Sequence, residues 1–282
     1  MQKKYFGTDG IRALSNSPKL NGLTMMRLGM SLGKIFTNGE HKHRVVIGKD
    51  TRLSGYAIEQ SITSGLLSMG LDVLLLGPIP TPGVAMLAKS MRADLGIMIS
   101  ASHNSYLDNG IKIFDKNGNK LSDETELEIE KLMDSSIEEY LVSPEKMGRA
   151  KRLEDANARY IEFQKNTFPK KINLEGLKIV LDCANGAAYK SAPIILWELG
   201  AEVITIGVNP NGLNINHECG STHPENMAKK VVEEKANLGI CLDGDGDRII
   251  ICDEKGKIID GDQILALLAL HWKKYDQLSS NA

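Results

Sequence analysis

Cysteine is scarce: Cys183, Cys219, Cys241 and Cys252 are the four in 282 residues, and no two are spaced C-x-x-C. That is too few for a disulfide framework in a chain this long, so buried reduced thiols are expected. Positive charge is not in excess either, since 34 Lys and Arg face 36 Asp and Glu, leaving a net −2 with no Lys/Arg run. Without a basic field for a phosphate backbone, nucleic acid is not an expected partner. No window approaches the ~18 apolar residues that span a bilayer, and no apolar stretch follows Met1 to Lys4 as a leader would require. The expectation is a cytoplasmic protein without membrane association. What is present is ordinary for a folded chain: 42% hydrophobic and 25% charged residues point to neither disorder nor a fibrous repeat. The length suits about two domains of roughly 150 residues each.

From Arg44 onward short apolar runs alternate with helical stretches. "RVVIG", "LDVLLLG" and "ADLGIMIS" read as strands, with helices predicted over 56–69 and 81–90 between them. Such βαβ units imply an α/β fold with a mixed, mostly parallel sheet between helices. Asn109-Gly110 reads as a turn, "GIKIF" as a strand entering a second turn at Asn117-Gly118, and 123–140 as one charged helix. A linker is placed in "LVSPEKMGR", 141–149, for its Pro144 and Gly148.

The second alternation predicts a helix over 153–164, the strand "LKIVLD", a helix over 186–199, the strand "AEVITIG", a helix over 224–237 and the strand "LGICLD". Thr222 and Glu225 have capping-box spacing. A last helix is predicted over 262–275. Gly70, Val73 and Gly77 match Gly200, Val203 and Gly207 in register, a weak echo that fits duplication or simple convergence of βαβ units.

Chemistry concentrates in two places. Ser100, Ser102 and His103 follow a strand of the parallel sheet, where open sheets bind ligands beyond their carboxyl ends. Most loop serines only close turns, so these residues alone establish no catalysis. "CLDGDGDRIIIC" sets Asp243, Asp245 and Asp247 at alternate positions with glycines between, letting three carboxylates converge. Like charges that close repel unless a cation sits among them, and carboxylate oxygens suit Mg²⁺ or Ca²⁺.

Three other readings of that loop compete. Counted from Asp243, an EF-hand has its carboxylates at positions 1, 3, 5 and 12, but Arg248 occupies position 6, where a glycine is needed, and the flanks read as strands. A dehalogenase-type phosphatase core would need far more chain downstream. A solvated acidic turn is the plain alternative. A serine able to carry a phosphoryl group and a Mg²⁺ loop fit together as phosphoryl-transfer chemistry. Arg12, Lys49, Arg52, Lys112 and Arg248 are the cationic candidates. "HKH", 41–43, reads as a surface loop without a metal.

Taken together, "YFGTDGIR", "GKDTRLSG", "SASHN" followed by "DNGIK", and "DGDGDR" resemble the α-D-phosphohexomutase superfamily, its bacterial phosphoglucosamine mutases in particular. The motifs occur in that family's order and span nearly the whole chain. The resemblance implies that Ser102 is the phosphorylated residue and that Asp243, Asp245 and Asp247 hold one Mg²⁺ against its phosphate. It implies interconversion of glucosamine 6-phosphate and glucosamine 1-phosphate through glucosamine 1,6-bisphosphate, feeding UDP-N-acetylglucosamine and cell-wall synthesis.

Lys112, His103 and Arg12 become candidates for proton transfer and charge stabilisation, and Arg248, Lys49 and Arg52 for phosphate or substrate. The partner is a small sugar phosphate, and a homodimer is left open. Residues 1–145 correspond to a first phosphohexomutase domain, 146–253 to a second, and 254–282 to the start of a third.

Ala13 and Ser105 depart from the family pattern where Gly and Pro are usual. The family has four domains, and neither the sugar-reading loop of the third nor the "RxSGTEP" loop of the fourth occurs here. A portion of a mutase, poorly active alone, is therefore expected. The competing expectations are a phosphomannomutase or phosphoglucomutase, and a non-catalytic Mg²⁺-binding remnant.

Overall fold

Aliphatic and β-branched runs too short for a helix form the strands, and longer stretches with apolar residues every third or fourth position form helices against them. The computed structural model describes residues 3–274. In chain order the elements are β1 (Phe6–Gly7), β2 (Gly10–Leu14), α1 (Gly22–Phe36), β3 (Arg44–Lys49), α2 (Gly55–Ser68), β4 (Asp72–Pro78), α3 (Thr81–Ser90), β5 (Leu95–Ile99), β6 (Asp108–Asp115) and α4 (Asp123–Met133). They continue with β7 (Ala150–Arg152), α5 (Ala156–Thr167), β8 (Lys178–Asp182), α6 (Ser191–Glu198), β9 (Glu202–Ile206), α7 (Glu225–Glu234), β10 (Leu238–Leu242), β11 (Ile249–Cys252), β12 (Ile258–Ile259) and α8 (Gly261–Lys274).

These strands make two mixed sheets. The first has the order β1-β2-β6-β5-β3-β4-β7 and the second β12-β11-β10-β8-β9. In the first, β5, β3, β4 and β7 are parallel neighbours, while β6, β2 and β1 add antiparallel. The strand that closes this sheet, β7, comes from beyond residue 145. In the second, β10, β8 and β9 run parallel and β11 and β12 complete the other edge antiparallel.

Helices α1, α2 and α4 cover one face of the first sheet, where Leu28, Ile62, Ile97 and Ile129 lie in one core. Across the sheet, α3 and α5 enclose Val84, Leu87, Met98 and Tyr160. Val180, Met227, Val231 and Cys241 form a smaller core under α7. All four cysteines are free and buried. No helix among the described residues is long and apolar enough to cross a membrane.

The structure corrects several local expectations. Asn109-Gly110 is not a turn: both residues lie inside β6, paired to Ala13 and Arg12 of β2. That pairing, with the Ser100 N–H donating to the Gly110 carbonyl at 2.9 Å on the other side, overrides the turn preference of the dipeptide. The charged helix stops at Met133, and Ile137–Tyr140 is a separate 3-10 turn. Asp134, Ser135 and Ser136 interrupt it, the Ser135 hydroxyl donating back to the Leu132 carbonyl at 2.8 Å.

The helix expected from 186 begins only at Ser191. Ala184 and Asn185 are left-handed, and the Ala187 N–H is used on the Gly244 carbonyl instead. The capping box at Thr222 does not form. Pro224 stands at the N-cap of α7 with no side-chain cap bond, its preset φ and missing N–H suiting a helix start. The helix predicted over 153–164 forms three residues later, and Tyr275, the expected end of the last helix, lies outside the described residues. The echo between the halves has a conformational counterpart: Gly70 and Gly200, and Gly77 and Gly207, all have positive φ.

One cap does hold. Asn21 accepts the Thr24 N–H at 3.0 Å at the start of α1, and its amide donates to the Ser17 carbonyl at 2.9 Å. Asn21→Ala is expected to destabilise the fold by about 1 kcal/mol, read as a lowered urea midpoint.

Candidate active site at the meeting of two loops

The carboxyl ends of two parallel strands carry the site. Chain leaving β5 at Ile99 enters the serine loop, and chain leaving β10 at Leu242 enters the acidic loop. The two loops touch. Ser102 Oγ donates to Asp243 Oδ2 at 2.6 Å across 141 positions of sequence, and both residues are fully buried. The spatial expectation for these two residues is met.

Their approach depends on backbone detail. Gly244 lies so close that a Cβ there would stand 2.6 Å from the Ser102 carbonyl oxygen. Ser102 itself is left-handed at φ 53, a conformation that costs a non-glycine residue about 1–3 kcal/mol and needs support from its surroundings. That support is explicit. The Ser102 N–H donates to Ser100 Oγ at 2.9 Å, and Ser100 Oγ donates to Asp50 Oδ2 at 2.6 Å. The Ser102 carbonyl accepts from Arg52 Nη2 and from Asn216 Nδ2, each at 2.9 Å.

Arg52 was expected to bind phosphate or substrate, and the structure assigns it elsewhere. Its side chain is fully buried with Asp50 as counter-ion at 2.8 Å. The Nε N–H goes to Asp50, Nη1 donates to the Ser105 and Asp108 carbonyls, and Nη2 donates to Ser102 and Asn104. A guanidinium has five N–H donors, and all five are engaged. Arg52 therefore shapes the serine loop.

Lys49 is also away from the acidic loop. Its ammonium is buried on Glu59 at 2.7 Å, above the Tyr56 ring, beside a cleft of about 270 Å³ that Tyr189 and Asn211 also line.

Lys112 joins the site from β6, with its ammonium 2.8 Å from Asp245 Oδ2 and 2.9 Å from Asp247 Oδ2. Burial alone would lower its pKa, but the two carboxylates outweigh that, so it is held protonated. His103 is displaced the other way, by burial first and then by the positive charge of Arg248 and Arg12, which favours neutral imidazole. Its Nδ1 lies 3.5 Å from Ser102 Oγ, too long for a strong bond. Arg12 pairs with Asp9, while its Nε is buried and unpartnered. Arg248 is exposed, and its backbone N–H donates to Asp243 Oδ1 at 3.2 Å.

Asp243, Asp245 and Asp247 bring one oxygen each to within 4.8 Å of one another. Burial and then the Asp245 charge push the Asp243 carboxyl up, to about 6. Burial works the same way on Asp245, but Lys112 and Thr81 prevail and hold it low. Asp245 Oδ1 is buried with no donor facing it. An oxygen-only set with one uncompensated buried carboxylate oxygen fits a hard divalent cation. The flanks are the strands β10 and β11, so an EF-hand is excluded.

Thr81 and Asn216 escaped the sequence reading. Thr81, at the start of α3, donates its hydroxyl to Asp245 Oδ2. Nothing in the Gly/Asn/Pro loop of 208–217 singled out Asn216.

Asp243 binds its proton more tightly folded than unfolded, so its ionised form opposes folding. That cost is absent below the unfolded carboxylate range and grows as pH rises through about 6. A divalent cation removes it. The rise in thermal midpoint on adding Mg²⁺ is thus expected to be large well above pH 6 and to fade on descent through it, as scanning fluorimetry would record. Gly244→Ala, which forces the loops apart, is expected to abolish most of that rise at the higher pH.

The comparisons with known proteins agree with this geometry. Residues 3–140 match the family model for phosphoglucomutase/phosphomannomutase, alpha/beta/alpha domain I, and residues 158–256 match that for domain II. A phosphoglucosamine mutase of Parvibaculum lavamentivorans is 62% identical over 280 residues, covering 99% of this chain and 62% of that protein. One of Caulobacter vibrioides is 61% identical over 269 residues, covering 95% of this chain and 60% of that protein. The crystal structure of a phosphoglucomutase/phosphomannomutase family protein from Burkholderia thailandensis superposes with a TM-score of 0.81 at 26% identity, over 96% of this chain and 59% of that one. The chain thus spans about three fifths of the length of the curated relatives it matches. Two domain models matched in order, with the loop of one meeting the loop of the other, make this chain a member of the phosphoglucomutase/phosphomannomutase family of α-D-phosphohexomutases.

Proposed function

We propose that the chain carries the phosphoryl-transfer half of a phosphoglucosamine mutase, interconverting glucosamine 6-phosphate and glucosamine 1-phosphate, with Ser102 as the phosphoryl carrier. The observation that bears most weight is the 2.6 Å contact between Ser102 Oγ and Asp243 Oδ2, within an acidic triad able to hold Mg²⁺. Relatives with 61–62% identity that carry the phosphoglucosamine mutase name support the choice of sugar.

Asp243, Asp245 and Asp247 would hold the ion together with the serine oxygen. When bound, it would neutralise charge on the phosphoryl oxygens. The protein's own groups do the rest. In the forward transfer the Ser102 Oγ–P bond breaks as a bond forms from phosphorus to a hydroxyl oxygen of the sugar phosphate. The hydroxyl proton needs an acceptor, and neutral His103 is the base available beside the serine. Lys112, held protonated, and Arg12 and Arg248 offset anionic charge around the transferred group. Glucosamine 1,6-bisphosphate is the intermediate; it reorients, and the second phosphate returns to Ser102.

Incubation with glucosamine 1,6-bisphosphate and Mg²⁺, followed by intact-mass analysis, tests the carrier. The expected outcome is one added phosphate mapping to Ser102 and absent in Ser102→Ala. A protein that never accepts phosphate there would overturn the reading in favour of a non-catalytic cation-binding remnant. Comparing loss of the Ser102 phosphate to glucosamine 6-phosphate, mannose 6-phosphate and glucose 6-phosphate separates the proposal from a phosphomannomutase or phosphoglucomutase.

A further inference from the structure

A second group of metal-ligating side chains lies at the other end of the first sheet. His41 and His43 precede β3 and Asp94 precedes β5, so all three sit at the amino ends of two adjacent parallel strands. Ser102 lies past the carboxyl end of β5, about 20 Å away at ~3.3 Å per residue. His41 Nε2 is 2.9 Å and His43 Nδ1 is 3.4 Å from the same atom, Asp94 Oδ1. The two imidazole rings have centroids 4.1 Å apart.

Three features distinguish this group from a chance surface pairing. The His43 side chain is only 9% exposed, and its Nδ1 is buried with no hydrogen-bond partner although it faces the carboxylate. Asp94 is held in place: its Oδ2 accepts the Arg44 N–H at 2.7 Å and its own N–H donates to the Arg44 carbonyl at 2.8 Å, which leaves Oδ1 for another role. The adjacent cations are engaged elsewhere, Lys42 on Asp72 at 2.9 Å and the Arg44 guanidinium on the Met91 carbonyl at 3.3 Å.

We propose that His41, His43 and Asp94 form a binding site for a borderline divalent transition-metal ion of the Zn²⁺ class, distinct from the acidic triad. Ligands about 2.1 Å from a tetrahedral ion stand ~3.4 Å from one another. The His43 separation already has that value, and the His41 ring, 60% exposed, is free to retreat from 2.9 Å. Two imidazole nitrogens and one carboxylate oxygen select Zn²⁺ over Mg²⁺ or Ca²⁺, and water supplies the fourth position. The bound ion ties the segment entering β3 to the segment entering β5, clamping the sheet from the end opposite the serine loop.

Titration calorimetry with Zn²⁺ in the presence of excess Mg²⁺, which competes for the acidic triad, tests this. One Zn²⁺ equivalent that survives excess Mg²⁺ is expected, with affinity lowered on the order of 100-fold in His41→Ala. Since His41 is an exposed residue outside any regular element, that variant keeps the fold. Co²⁺ supplies a second readout: intense visible absorption of the tetrahedral type is expected in the unaltered protein and is lost in the variant. Zn²⁺ binding equal in the two proteins, or fully displaced by Mg²⁺, or a weak octahedral Co²⁺ spectrum in both, would overturn the proposal.

Discussion

Three carboxylates, two of them buried, cannot be brought together without positive charge among them, and that electrostatic demand organises the rest of the site. Asp243 and Asp245 are withdrawn from water and lie within reach of one another, so ionising both is costly unless a cation sits among them. Lys112 meets part of the demand from a strand of the other sheet. The same pairing ties the acidic loop of the second sheet to β6 of the first. The Ser102 hydroxyl then becomes a further oxygen at the rim of this pocket, supplied by the neighbouring loop.

Holding that hydroxyl in place takes more machinery than the contact itself. Arg52 and Asn216 both donate to the Ser102 and Asn104 carbonyls, one from the first sheet's own loop after β3 and the other from the loop after β9. A buried guanidinium is expensive to desolvate, yet with Asp50 beside it and every N–H directed at an oxygen it is fully satisfied. The left-handed residue it supports could not persist on its own. Backbone strain at Ser102 is thus balanced by hydrogen bonds from side chains that do no chemistry.

Much of this was legible in the sequence. Short apolar runs and period-3.6 patterns placed the strands β3 to β6 and β8 to β11 and every described helix but α1, because a buried parallel strand has few alternatives to an unbroken apolar run; the short strands β1, β2, β7 and β12 carried too few apolar residues to stand out. The alternation of Asp243, Asp245 and Asp247 with glycine pointed to a converging acidic loop, since glycine leaves no side chains in the way of the carboxylates. What stayed hidden was set by tertiary contacts. Asn109-Gly110 has the composition of a turn, and only its pairing with β2, with the Ser100 N–H on the Gly110 carbonyl, makes it strand.

Arg52 looks the same in sequence whether it grips a ligand or a loop carbonyl, and burial alone tells them apart. Thr81 and Asn216 are single polar residues whose partners lie more than 100 positions away. No local pattern encodes a partner at that distance.

The left-handed backbone at residue 102 also limits which amino acid can serve as carrier. A branched β-carbon is poorly accommodated there, because its extra methyl would press against the main chain. Threonine, the obvious chemical substitute for an alcohol nucleophile, is thereby disfavoured by local geometry before reactivity is considered. The fold admits serine through shape as much as through its oxygen.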